Sequence, residues 1–246
     1  MKKIYSLALV MCLLSVGIAY AGGSCNLAFG RDMFASEEDY NQMVTYCNSF
    51  TSSETCEDVG NEGFCVWEQG ETVYTPIKDA KVSSSMPCSN FGLGRYALVN
   101  DKSWAKDRFY LGFDLSSIES SSVNSAVLRI PVYYTGSQVV GSVIQSWYCG
   151  GYDFVETTIT WRNQPFNLGC SMVSTYTVPS VVIAGNPETW HEYDLTSVVN
   201  SELTKDKKFI IVLKHDVENG VNNYRYVQYL TKDYPEAEFR PQLVVS

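Results

Sequence analysis

The chain has 246 residues, 45% of them hydrophobic and 18% charged, and its formal net charge is −9. Plentiful apolar residues and an aromatic share of 13% exclude a disordered chain, and the acidic balance argues for no nucleic-acid partner, since it repels phosphates. Only two histidines occur, His191 and His215, which leaves little room for His-based metal or acid–base machinery.

The first element in chain order is an address. Lys2 and Lys3 precede a mostly apolar run from Leu7 to Ile18, and Ala19-Tyr20-Ala21 places small residues where a signal peptidase reads. Residues 1–21 are therefore expected to be a secretory signal peptide. The run is too short for a transmembrane helix and no later apolar stretch approaches about 20 residues, so no membrane span is expected. A secreted location, extracellular or at the cell surface, follows.

Export makes the cysteines interpretable. Cys25, Cys47, Cys56, Cys65, Cys88, Cys149 and Cys170 remain after the signal. With no C-x-x-C pair to suggest zinc, disulfides are the expected state. Cys149 and Cys170 are the expected pair, because they flank one loop-rich excursion around Thr160-Trp161. Their odd number leaves one thiol free or bridged to another chain, or Cys25 lipidated, although Gly22-Gly23-Ser24 lacks the apolar residue of a lipobox.

Residues 22–72 are polar and cysteine-rich, too small for a core of their own without bridges or docking. Within them Ser36-Glu37-Glu38-Asp39 resembles a capping box, and Tyr40, Met43, Val44 and Cys47 follow at helical spacing. A helix over Glu37–Asn48 is predicted.

From Thr72 onward the period becomes two, giving a second region over 73–246. Phe109, Leu111 and Phe113 alternate with Arg108 and Tyr110, and Ala126, Leu128, Ile130 and Val132 alternate with Arg129 and Tyr133. Further strands are predicted at Val139–Tyr148, Thr157–Trp161, Lys208–Lys214, Tyr224–Leu230 and Arg240–Val245, separated by turn-rich stretches. The run from Phe209 to Leu213 is apolar on both faces, as a central strand would be. Leu195–Leu203, after Asp194 as its cap, is the helical segment of this region. The fold class is all-β: a jelly-roll-like β-sandwich with a small Cys-rich, partly helical N-terminal appendage.

A family resemblance follows from these segments. Lys78-Asp79-Ala80, Asn90-Phe91-Gly92, the run from Phe109 to Ile118, the run from Val123 to Ile130, the run from Thr158 to Pro165 and Glu192-Tyr193-Asp194-Leu195-Thr196 occur in order. Together they resemble the DNRLRE domain over about Tyr74 to Ser246. That domain is found in disaggregatases and as a carbohydrate-binding module beside polysaccharide-degrading enzymes. The hexapeptide that names the family is absent, and Asp107-Arg108 is its nearest remnant. The resemblance implies a sandwich fold and a polysaccharide partner.

Sugar rings stack on aromatic side chains, and acidic sugars add a carboxylate that Arg holds in bidentate fashion. The alternation assigns Arg108, Tyr110, Arg129 and Tyr133 to one outward face, which Lys214 and Arg225 join if their strands lie in the same sheet. These six are the expected ligand-binding residues, for a uronic-acid polymer by preference; an ordinary solvated face is the competing account. For a metal, jelly-roll glycan modules often hold a structural calcium, and Asp79 is the matched acidic position. A turn residue is the alternative there, no EF-hand-like loop being present. No cofactor is required. Asp153, Glu156, Glu188 and Glu192 are acid–base candidates by type alone, and no G-x-S-x-G, H-E-x-x-H or G-K-[ST] signature occurs. A non-catalytic polysaccharide-binding protein is expected. The alternative is a structural subunit of a surface layer, filament or adhesin, whose partners are other extracellular proteins or copies of itself.

Overall fold

The computed structural model describes residues 23–27, 36–49, 65–102, 104–184, 188–218 and 225–246. The signal-peptide assignment lies outside the described residues, as does the environment of Cys56. No helix among the described residues is long and apolar enough to cross a membrane. The chain divides into two compact units at Thr72/Val73.

In the first unit, strands β1 (Gly23–Leu27) and β2 (Cys65–Gln69) pair antiparallel, with Cys25 opposite Trp67. Helix α1 (Glu37–Cys47) starts where the sequence places it. The Ser36 hydroxyl accepts from the Asp39 N–H at 3.1 Å, and Glu37, Glu38 and Asp39 set negative charge against the positive helix end. Cys47 is fully buried and disulfide-bonded.

The second unit is all β apart from short helical pieces. Its strands are β3 (Thr72–Tyr74), β4 (Lys78–Ser83), β5 (Tyr96–Lys102), β6 (Ala105–Asp114), β7 (Ala126–Thr135), β8 (Val143–Tyr148) and β9 (Ser171–Thr177). They continue with β10 (Trp190–Asp194), β11 (Lys208–His215), β12 (Tyr226–Leu230) and β13 (Gln242–Val245), and helix α2 (Thr196–Leu203) precedes β11. One curled sheet runs β3-β13-β7-β12-β5-β6-β11-β8-β9, with β10 added on β7 and β4 on β6. Two long strands make the curl by changing partners. The first half of β7 lies between β10 and β13, and its second half pairs with β12. The start of β6 pairs with β5, and its later part lies between β4 and β11. The result is a β-sandwich of the jelly-roll kind.

Alternation then fixes the main core. Phe109, Leu111 and Phe113 meet Leu128, Ile130 and Val132, with Tyr193, Ile211, Leu213, Val227, Tyr229 and Leu243 from the neighbouring strands. Each such side chain contributes about 1.5–3 kcal/mol on burial. Two carboxylates close local turns, although the N-cap of α2 is Leu195, one place beyond the Asp194 that the sequence offers. Asp114 Oδ1 accepts from the Ser116 N–H at 2.9 Å, and Asp194 Oδ1 accepts from the Thr196 N–H at 2.9 Å where α2 begins.

The other face of β4, β6 and β11 is not open to water. It carries a second core of Ala80, Val82, Tyr110, Ile210 and Val212, roofed by Phe154 and Ile159 from the excursion between β8 and β9. Cys149 and Cys170 are bonded and close that excursion, as the sequence implies. Closing a loop with a sequence separation of 21 stabilises the fold by about 3 kcal/mol. Within it the predicted strand over Thr157–Trp161 does not form. The Asn163 side chain takes the Thr160 N–H (2.6 Å) and donates to the Thr158 carbonyl (3.1 Å), so the backbone turns instead of extending.

Candidate functional site

Arg108 and Tyr110 do share a face of β6, but that face lies under the excursion. Tyr110 is fully buried, its hydroxyl donating to Gln164 Oε1 at 2.8 Å and its ring meeting Phe154 edge-on. Burial pushes the phenol well above its ordinary value. Arg108 is 6% exposed. Its guanidinium lies 4.6 Å from the Trp161 ring and 4.0 Å from the Phe166 ring, forks onto both Glu218 oxygens (2.9 and 2.7 Å) and donates to Gln164 (3.0 Å). A guanidinium so engaged is a packing element that holds the roof down. Lys214 joins the same cluster, its Nζ 5.4 Å from the Trp147 ring and 2.6 Å from the His215 carbonyl oxygen, and burial lowers its pKa.

The remaining sequence candidates lie elsewhere. Arg129, in the first half of β7, donates to Glu192 at 2.9 Å and lies 5.3 Å from the Trp190 ring. Arg225 points at the fully buried Asp101, with 2.5 Å between them. Tyr133 alone of the six belongs to an aromatic surface. The six therefore lie in four places, not on one face.

That aromatic surface is the outer side of β5, β12 and β7. Ala97, Val99, Val227 and Tyr229 point into the core, which turns Tyr96, Leu98, Tyr226 and Gln228 the other way. Register brings Gln228 opposite Leu98 on one side and Tyr134 on the other. Between Gln228 and Tyr229 the ladder to β7 slips, leaving Tyr133 as an extra residue. A bulge of this kind re-aims side chains, and consecutive Tyr133 and Tyr134 are both half-exposed.

The rings form a strip. The Tyr96 centroid is 4.6 Å from that of Tyr133 and 6.1 Å from that of Tyr234, and Tyr134 lies 5.8 Å from Tyr226. Lys102 Nζ is 5.3 Å from the Tyr226 ring and 5.3 Å from that of Trp104, which is 69% exposed. From Tyr96 to Lys102 the strip spans about 20 Å at the rise of a β-strand. Beside it a shallow groove of about 400 Å³ is lined by Lys81, Asn90, Phe91, Leu93 and Tyr96. Lys81 Nζ sits 4.2 Å from the Phe91 ring. The surface therefore combines flat aromatic faces with ammonium groups, which suits a ligand with apolar faces, hydroxyls and negative charge. Sequence reasoning missed Tyr96, Tyr134, Tyr226, Lys102 and Trp104; the Tyr133-Tyr134 pair was its nearest signal.

Asp79 is 1% exposed and burial pushes its carboxyl up to about 7. Its Oδ2 accepts from the Lys232 N–H at 2.6 Å, so it is no simple turn residue of its own strand. Glu156 and Asp233 lie beside it.

No curated protein matches the chain. Residues 70–246 match the family model for carbohydrate-binding module family 96, which bears out the carbohydrate-binding side of the resemblance without the DNRLRE name. With the match spanning the whole sandwich and the tyrosine strip within it, the chain belongs to carbohydrate-binding module family 96.

Proposed function

We propose that this chain is a secreted, non-catalytic module that holds an acidic extracellular or cell-surface polysaccharide along the strip on β5, β12 and β7. Family membership supports a carbohydrate partner. One observation carries the location: Tyr96, Tyr133, Tyr134 and Tyr226 stand together on one outer sheet face, with Lys102 over Tyr226 and Trp104. The C–H faces of sugar rings are apolar and lie flat on such rings, and a strip about 20 Å long reaches several sugars. Lys102, Lys81 and the exposed Arg95 add positive charge on an acidic protein, which favours uronic acids over neutral sugars. Three of the four carboxylates that could serve acid–base chemistry are engaged in ion pairs: Asp153 with Lys78, Glu156 with Lys232 and Glu192 with Arg129.

Affinity electrophoresis through alginate, polygalacturonate and chondroitin gels, against a neutral glucan, tests this. Retardation is expected in at least one acidic gel. Tyr96→Ala and Tyr226→Ala are each expected to weaken binding about tenfold, which is about 1.4 kcal/mol, and Arg129→Ala to leave it unchanged. Equal mobility of wild type and the double tyrosine variant in every gel overturns the assignment.

A second reading, self-assembly, is favoured by Cys88, an exposed free thiol. An exposed thiol in an oxidising compartment pairs between chains. Thiol-sensitive dimers are then expected on non-reducing gels and are lost in Cys88→Ser. A monomer under oxidising conditions excludes that route.

A further inference from the structure

The strand order of the sandwich ends at β9, and among the described residues no strand pairs with its outer edge. Native sheets guard such edges with charged side chains or by keeping them short. The other margins of this sheet follow that rule. β10 carries Glu192 and Asp194, β4 carries Lys78, Asp79 and Lys81, and β3 has only three residues. β9 has seven residues, Ser171–Thr177, with neither a charge nor a proline. In a chain that is 18% charged, residues 130–152 and 163–187 contain no Asp, Glu, Lys or Arg, so β8 and β9 together form a charge-free margin.

The backbone of that margin is ready to pair. The extra residue Val173, at the slip between Ser146 and Trp147, is confined to the start of β9. Just past its end, Val178 donates to the Ser142 carbonyl and accepts from the Gly141 N–H, both at 2.9 Å, and so faces β8. Ser174 turns its carbonyl the same way, to the Ser146 hydroxyl at 3.2 Å. By alternation the N–H and C=O groups of Thr175 and Thr177 point away from β8. Both threonine side chains are exposed, and their neighbours on β8 are the uncharged Gln145 and Val143.

We propose that β9 is a pairing edge for a second copy of this chain, joined antiparallel about a two-fold axis at Tyr176. In that register Thr175 of each copy lies opposite Thr177 of the other. Each of these pairs exchanges two main-chain hydrogen bonds, and the threonine side chains stand together as cross-strand pairs. The edge is therefore complementary to itself, as a two-fold interface requires. Charge selects the same occupant. The chain carries a net charge of −9, so two copies repel over much of their surface and meet with least repulsion where neither is charged. A basic foreign partner would be drawn to the acidic faces instead. Exposed apolar side chains flank the pairing residues, Met172 before them and Val181 and Ile183 after them. An antiparallel pairing turns the start of one β9 toward the end of the other. The inference does not rest on the glycan reading, and it needs no thiol, unlike a bridge through Cys88. The tyrosine strip on β7, β12 and β5 lies elsewhere in the strand order and stays free.

The test uses the full chain with Cys88→Ser, which removes the exposed thiol, in sedimentation velocity. So short a pairing predicts a weak, reversible dimer, with Kd about 100 µM. Exchange of the Thr175 and Thr177 amide protons should slow as protein concentration rises. Thr175→Pro removes an outward N–H without touching the ladder to β8 and should abolish the dimer. Thr175→Lys should weaken it about fivefold, and keeps the test decisive should the proline variant fail to fold. Mixing Thr175→Lys with Thr177→Glu should restore association at least about threefold over either alone, because the register sets the two charges opposite each other. A chain that stays monomeric at about five times the expected Kd overturns the proposal. So does a dimer undiminished in Thr175→Pro and Thr175→Lys, or the absence of rescue on mixing.

Discussion

Below pH 6.5 the burial of His191 is expected to cost the sandwich stability. This side chain is 1% exposed on β10. Its ring stacks on Tyr176 at 4.1 Å and meets Tyr229 edge-on at 5.5 Å, and its Nδ1 lies 2.8 Å from the Tyr229 hydroxyl. The groups packed around it are the phenols of Tyr176, Tyr193 and Tyr229, while the neighbouring Glu192 turns outward to Arg129. No anion faces the ring, and its Nε2 has no partner. Burial alone therefore depresses the pKa to about 3. The unfolded chain takes up the proton near the ordinary histidine value of about 6.5, and the folded chain refuses it until about 3. Between those limits the unfolded state binds more protons, so stability falls as pH falls, by about 1.4 kcal/mol per unit and about 4–5 kcal/mol across the window. Buried His215 on β11 is depressed in the same direction and adds to this effect. The carboxyls of Asp79, pushed by burial up to about 7, and Asp107, also raised by burial, take up protons more readily in the folded chain and oppose it. Asp114 and Asp194, held below the usual carboxylate range by their serine and threonine caps, lose their contribution only at lower pH. Urea denaturation at steps between pH 7.5 and 5, on wild type and His191→Gln side by side, isolates the ring. Relative to wild type, His191→Gln should lose acid dependence of up to about 1.4 kcal/mol per pH unit over that range, whatever it costs at pH 7.5. An unchanged slope in the variant would show that the ring is not the acid-sensitive group.

The main core was readable because it depends on local alternation. Phe109, Leu111 and Phe113 are each at most 1% exposed, and the apolar run of β11 is buried on both faces. The cap at Ser36 and the Asp194 turn that opens α2 were readable for the same reason, since donor and acceptor lie within three residues. Alternation also placed Arg108 and Tyr110 correctly on the opposite side of β6. It could not say what lies above them, because Phe154, Ile159, Trp161 and Phe166 arrive from a loop without periodicity. The two cysteines bracketing that loop were the available hint. The strip on β5, β12 and β7 was hidden for a different reason. A bulge shifts Tyr133 by one place, and which tyrosines then become neighbours depends on the register of strands far apart in the chain. The acidic cluster of Asp79, Glu156 and Asp233, too, is a product of tertiary convergence, with Asp79 its only member marked as a metal residue in the sequence.

Gly92→Ala is expected to destabilise the fold by about 3–4 kcal/mol, more than a surface loop position ordinarily costs. Gly92 is buried where the 90–94 turn meets the excursion. A Cβ there would lie 2.7 Å from the carbonyl carbon of Glu156 and 2.8 Å from its Cγ, and would overlap the carbonyl oxygen. That backbone has nowhere to go. Asn90 Nδ2 donates to the Glu156 carbonyl at 2.7 Å and to the Ile159 carbonyl at 2.8 Å, while its Oδ1 accepts from the Gly92 N–H at 3.2 Å. One asparagine and one glycine thus clamp the roof of the second core, which accounts physically for the Asn90-Phe91-Gly92 motif. Asn90→Ala removes the clamp by the other route, leaving two carbonyls unpaired at about 1–3 kcal/mol each. Because both changes release the same segment, the double variant should cost clearly less than the sum of the two. Leu93→Ala, at a position 69% exposed next door, should stay within about 0.5 kcal/mol of wild type. Equilibrium denaturation gives all four values, and the fluorescence of Trp147 and Trp161, which flank Phe166 and Arg108, reports release of the roof directly. A Gly92→Ala variant as stable as wild type, with unchanged fluorescence, would mean that the excursion is not clamped at this point.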